Sequence, residues 1–151
     1  MVVSGGMVFF VLSRQVGSTS PGGLSFVWDI LWLGIVYGIA DALLLNVLPV
    51  LAVWHASTNL GQTESWPGRI VTTALVLAAS LFVTTAYHFG YSEFHGPALG
   101  RAVFGNMIMT LGYLLTLTQK PITALAPRVA LHIASAVHGV NAIVTLPPHF
   151  K

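Results

Sequence analysis

The chain has 151 residues, 55% of them hydrophobic and only 7% charged, and its mean hydropathy is +0.81. A soluble domain carries roughly 25% charged residues because its surface must be hydrated, so a chain this poor in charge has to turn its outer face to lipid. Six Lys and Arg against four Asp and Glu, with no basic cluster, exclude a nucleic-acid partner, and the lack of cysteine excludes disulfides, Cys-ligated zinc and iron–sulfur clusters.

In chain order, residues 1–12 are apolar but short and end near Arg14. Positive charge before the apolar run and a small-residue cleavage site after it would mark a signal peptide, and neither stands out. Residues 1–25 read as an N-terminal segment and loop, the apolar part fitting a signal segment or the remnant of a helix equally. Residues 26–151 read as one transmembrane helical domain.

Four apolar windows follow. Residues 26–54 are interrupted by Asp29 and Asp41, and Pro49 should bend the far end; residues 70–87 are nearly pure Val, Leu, Ala and Thr; residues 102–118 and 129–146 complete the set. A helix crossing ~30 Å of hydrocarbon needs ~20 residues, with a lower limit near ~17, so all four qualify. Backbone groups in lipid must bond internally, which leaves helices or closed barrels. Alternating strands of barrel length are missing, so the expected class is all-α, with about four spanning helices. Trp28, Trp32, Trp54, Trp66, Tyr87 and Tyr91 cluster near window ends, as interfacial aromatics do.

Residues 55–69, 88–101 and 119–127 read as connectors, each with Gly or Pro turn chemistry. Tracing the windows puts Arg14, Arg101 and Lys151 on one side and Arg69, Lys120 and Arg128 on the other. That balance gives no orientation.

The candidate site residues are those whose presence in hydrocarbon is expensive. Asp41 sits near the middle of the first window, and a carboxylate there costs ~2.5–3.5 kcal/mol on insertion scales, so it needs a protein-lined surrounding. His132, Ser135 and His138 fall about 60° apart in succession on a helix, with Asn141 continuing the drift. This polar ribbon can move protons, ligate a metal or haem, or glue helices. His88 ends the second window, with Glu93 and His95 after it, a spacing that matches no standard ligand set. Asn106, Thr110 and Tyr113 recur at i, i+4 and i+7 as one inward polar face, with Gly105 and Gly112 allowing close approach. His55 and His149 lie outside the windows and take no role.

An acid in one helix, a His ending the next and a His in the last helix resemble the CPBP intramembrane proteases, the group containing the CAAX prenyl endopeptidases, with motifs EExxxR, FxxxH and HxxxN. Asp41-Ala42-Leu43-Leu44-Leu45-Asn46 stands where EExxxR would, Thr84-Thr85-Ala86-Tyr87-His88 where FxxxH would, and the stretch around His132 where HxxxN would, with Ala136 in place of Asn. The resemblance implies a core of four helices and a hydrolytic site with Asp41 as general base beside His88 and His132. Glu93, His138, Asn46 and Asn106 form a second tier. The chain also resembles uncharacterised bacterial multi-pass proteins, which implies a bacterial plasma membrane.

Two other classes compete. Two of His88, His132 and His138 could ligate haem or a metal from facing helices. Alternatively, the polar residues fix helix contacts in an oligomer or a membrane complex, without chemistry. The sequence names no cofactor. The lipid bilayer is the one partner it implies directly.

Overall fold

The structure, a computed structural model, describes residues 23–116 and 121–138. They form four helices, α1 over Leu24–Asn59, α2 over Trp66–Phe89, α3 over Pro97–Leu115 and α4 over Ile122–His138. Single 3-10 turns lie at Gln62–Glu64 and Ser92–Phe94, and there is no strand among the described residues. The all-α expectation holds.

At about 1.5 Å per residue, α1, α2 and α3 are long enough, and apolar enough, to cross ~30 Å of hydrocarbon. Large apolar side chains, among them Leu48, Ile70, Phe82 and Phe104, are exposed along these three helices. Exposed apolar surface on this scale is stable only against lipid, and the chain is an integral, multi-pass membrane protein. Helix α4 has 17 residues, fewer than the other three, so three helices rather than four meet the length within the described residues. The predicted fourth window ran over 129–146, and its part beyond 138 lies outside the described residues, as do residues 1–22.

Helices α2 and α3 begin earlier than hydropathy suggests, because a proline opens the first turn of each and, in α2, a serine caps it. Ser65 is extended and its Oγ accepts from the Gly68 N–H at 3.2 Å, while Pro67 occupies the first turn, where no N–H is needed. Helix α3 likewise opens on Pro97, directly after Gly96 at φ 70°. The predicted connectors therefore shrink to short turns. Ser65→Ala should destabilise the start of α2 by about 1 kcal/mol, read as earlier amide exchange over residues 66–69 in the detergent-solubilised protein.

Helix α1 is not uniform. Its α-helical parts at Leu24–Asp29, Tyr37–Ala42 and Leu48–Asn59 alternate with π-helical segments at Ile30–Val36 and Leu43–Val47. The second π segment ends just before Pro49, which has no N–H to give the Leu45 carbonyl four residues earlier.

The chain divides into two compact units. Residues 43–124 form one, with α2 packed against both the second part of α1 and α3. Its core is Val47, Val50, Val76, Tyr113 and Ala124, flanked by Leu51, Val53, Trp54 and Leu114. Thr72, Val76, Ser80 and Thr84 form a fully buried ridge at every fourth residue of α2. In lipid there is little hydrophobic drive between helices, and such small residues win contact by letting backbones approach.

The other unit comprises residues up to 42 and from 125 onward. Within it, Gly34 and Gly38 lie one turn apart on α1 and are both buried. A Cβ on Gly38 would lie 3.0 Å from the Val129 Cα, and one on Gly34 would lie 2.8 Å from Ile133 Cγ1. These glycines let α1 and α4 approach to backbone contact.

Candidate functional site

Asp41 lies seven residues after Gly34 and three after Gly38, so all three face α4. The close approach that the glycines allow brings Asp41 against two α4 side chains one turn apart. Asp41 Oδ2 lies 3.0 Å from Arg128 Nη1 and 3.2 Å from His132 Nε2. Asp41 and Arg128 are each 7% exposed and His132 is 3% exposed. The Tyr37 ring meets the imidazole edge at a centroid distance of 5.4 Å. Ser135, also on this side of α4, is buried and donates to its own helix at Leu131 O.

The chemistry follows from what each atom can do. An ionised carboxylate only accepts, so His132 Nε2 must carry the proton facing Asp41. In a neutral ring the other nitrogen, Nδ1, then holds a lone pair. Nδ1 is buried and has no hydrogen-bond partner among the described residues. A basic nitrogen held in place by a carboxylate and left without a partner can take up a proton or hold a ligand. The carboxylate's negative charge is balanced by Arg128.

Arg128 is the residue that sequence reasoning misplaced. It was counted among flanking charges after a connector ending at Pro127, whereas α4 starts at Ile122 and carries Pro127 and Arg128 inside it. The available signal was its position four residues before His132, on the same helix face.

The second-tier residues Asn46 and Asn106 meet in the unit of residues 43–124. Asn46 Nδ2 donates to Asn106 Oδ1 at 2.9 Å and to Thr110 Oγ1 at 2.8 Å. Asn106 Nδ2 donates to Ser80 Oγ at 3.0 Å, and Ser80 and Thr110 share a hydrogen bond of 2.8 Å. Ser80 Oγ also donates to Leu45 O at 2.6 Å. The predicted polar face of α3 is thus buried as expected, and Ser80 is the member that a run of Val, Leu, Ala and Thr concealed.

His88 ends α2, with its Nδ1 2.8 Å from Thr84 O and its ring edge-on to Tyr87 and Phe94. It belongs to the unit of residues 43–124, whereas Asp41 and His132 belong to the other. The side chains of Glu93 and His138 lie outside the described residues. No group of three or more His, Cys, Asp or Glu converges as a metal site among the described residues.

Compared with family models, with curated proteins and with solved structures, the chain has no match. The functional reading therefore rests on the site itself.

Proposed function

We propose that this integral membrane protein is an intramembrane hydrolase of CPBP-like architecture, with His132 as general base. The observation that supports it is the meeting of Asp41 with His132 at 3.2 Å while His132 Nδ1 is left unpartnered among the described residues. Two of the three side chains that the resemblance singles out thus share one site. Their roles differ from the first expectation. Asp41 Oδ2 already faces two donors, so Asp41 serves to hold the imidazole, and Arg128 to hold Asp41. Nδ1 of His132 would draw the proton from a water as its oxygen attacks a peptide carbonyl carbon, and would return that proton to the amide nitrogen as the C–N bond breaks and the amine leaves. His88 is left out of this reading, and the bacterial plasma membrane is the setting that goes with it.

Reconstituted protein incubated with a pool of membrane-spanning peptides should release new termini detectable by mass spectrometry. His132→Gln should slow that release by about 10²–10⁴-fold, the usual contribution of a general base. A wild-type protein that cleaves nothing, or a His132→Gln variant that cleaves as fast, ends the proposal.

A second reading is favoured by the Arg128–Asp41 ion pair, which neutralises both charges. The trio would then be a latch between α1 and α4 in a non-catalytic membrane subunit or helix-mediated oligomer. Under it, Asp41→Asn lowers stability or partner capture and no chemistry is lost.

A further inference from the structure

The buried cluster of Asn46, Ser80, Asn106 and Thr110 is independent of the hydrolase reading, since every member lies within residues 43–124. Each is at most 1% exposed. The simplest use of such a cluster is to glue three helices, but two features go beyond glue.

The first is where the hydroxyls point. Helical Ser and Thr ordinarily turn back to the carbonyl four residues earlier. Thr73, Thr84, Thr85 and Ser135 do this here, to Arg69, Ser80, Leu81 and Leu131 respectively. Ser80 instead donates across the helix interface to Leu45 O, and with that proton committed the Thr110 hydroxyl donates to Ser80 Oγ.

The second is the backbone. Leu45 sits in the π segment Leu43–Val47, and Pro49 deprives its carbonyl of the usual donor. A main-chain carbonyl within the span, denied its α-helical donor, thereby accepts from the Ser80 hydroxyl of the polar cluster at 2.6 Å. Helix irregularities of this kind expose carbonyls that coordinate alkali cations in membrane proteins.

We propose that Leu45 O, Ser80 Oγ, Thr110 Oγ1 and the Asn46 side-chain oxygen form a site for a small alkali cation, Na⁺ in the first instance. All four donors are hard oxygens, the ligand type such cations take. None carries charge, so a divalent ion would be left uncompensated in a low-dielectric interior, whereas a single positive charge is within reach of carbonyl and hydroxyl dipoles. Loading needs only local changes. The Ser80 and Thr110 protons turn back to the carbonyls of Val76 and Asn106, the acceptors that other helical Ser and Thr already use. The Asn46 amide rotates so that its oxygen replaces its nitrogen facing Thr110 and Asn106 Oδ1, and the latter, losing that donor, turns its lone pair to the cation as well. Asn106 Nδ2 then remains as the donor that holds Ser80 Oγ in place.

The test is thermal unfolding of the purified full chain in detergent, in chloride salts of Na⁺, K⁺ and N-methyl-D-glucamine at equal ionic strength. We expect a saturable rise in the midpoint of several degrees with Na⁺ over N-methyl-D-glucamine, lost in Thr110→Val and in Ser80→Ala. Equilibrium dialysis of radioactive Na⁺ against the wild-type protein supplies a readout that does not depend on how well either variant folds. Equal midpoints in all three salts with no retained Na⁺, or a Na⁺ effect undiminished in both variants, would overturn the proposal. A K⁺ response equal to that of Na⁺, also lost in the variants, would keep the alkali site and overturn its selectivity for the smaller ion.

Discussion

Arg128→Met should be among the most damaging single substitutions in this protein, lowering stability by about 3–5 kcal/mol in an SDS-unfolding titration of the detergent-solubilised chain. Asp41 and Arg128 meet at 3.0 Å and each is 7% exposed, so the carboxylate has little water to fall back on when the guanidinium is removed. What is lost is less the attraction of the pair than the neutralisation of a buried charge. The double variant Asp41→Asn with Arg128→Met removes both charges and should recover most of the loss, because replacing a whole buried pair by neutral groups of similar size is often nearly neutral. Asp41→Asn alone should fall between the two, since Arg128 has a long stem that can carry its charge toward an interface while Asp41 has none. Additive losses in the double variant would mean that the two side chains do not act as a pair.

Much of the fold was legible because the rules that govern hydrocarbon are coarse and strong. Residues 26–54 and 70–87 fall on helices, as do residues 102–115 of the third window, since few other structures satisfy a backbone there. The boundaries were less legible because hydropathy fades before the helix does. Ser65 and Pro67 start α2 by capping, and Pro97 starts α3, although both stretches read as connector by polarity. The π segments of α1 left almost no trace in the residue pattern. Pro49 announces a disturbance there, yet nothing announces that Leu43–Val47 takes it up as a wider turn.

The site was half legible for a related reason. Asp41 and His132 stood out because ionisable groups in apolar windows demand partners, and each is the other's partner. Arg128 did not stand out, because a charge at the edge of an apolar run looks like the end of a span. Only the depth of α4 and the contact with α1 turn it into a buried residue. The pairing itself depends on Gly34 and Gly38, whose importance lies in the side chains they lack.

Gly38→Leu should separate α1 from α4 and dismantle the candidate site with no change to Asp41, Arg128 or His132. The first added carbon would already lie 3.0 Å from the Val129 Cα and 3.3 Å from the His132 Cβ. The Val129 contact is backbone, which cannot swing aside as a side chain can, so the helices must part. Overpacking of this kind costs about 1–3 kcal/mol, and Asp41, one turn further along α1, would lose its 3.0 and 3.2 Å contacts as well. Gly38→Ala should give a smaller loss of the same sign. Gly112 supplies the contrast, because, against the close approach expected of it, a Cβ there meets nothing within 4 Å among the described residues. In a helix with open space, Gly→Ala favours the folded state by up to about 1 kcal/mol. SDS unfolding should therefore move in opposite directions for Gly38→Ala and Gly112→Ala. If both substitutions shifted the midpoint alike, close approach at Gly38 could not be what holds Asp41 against α4.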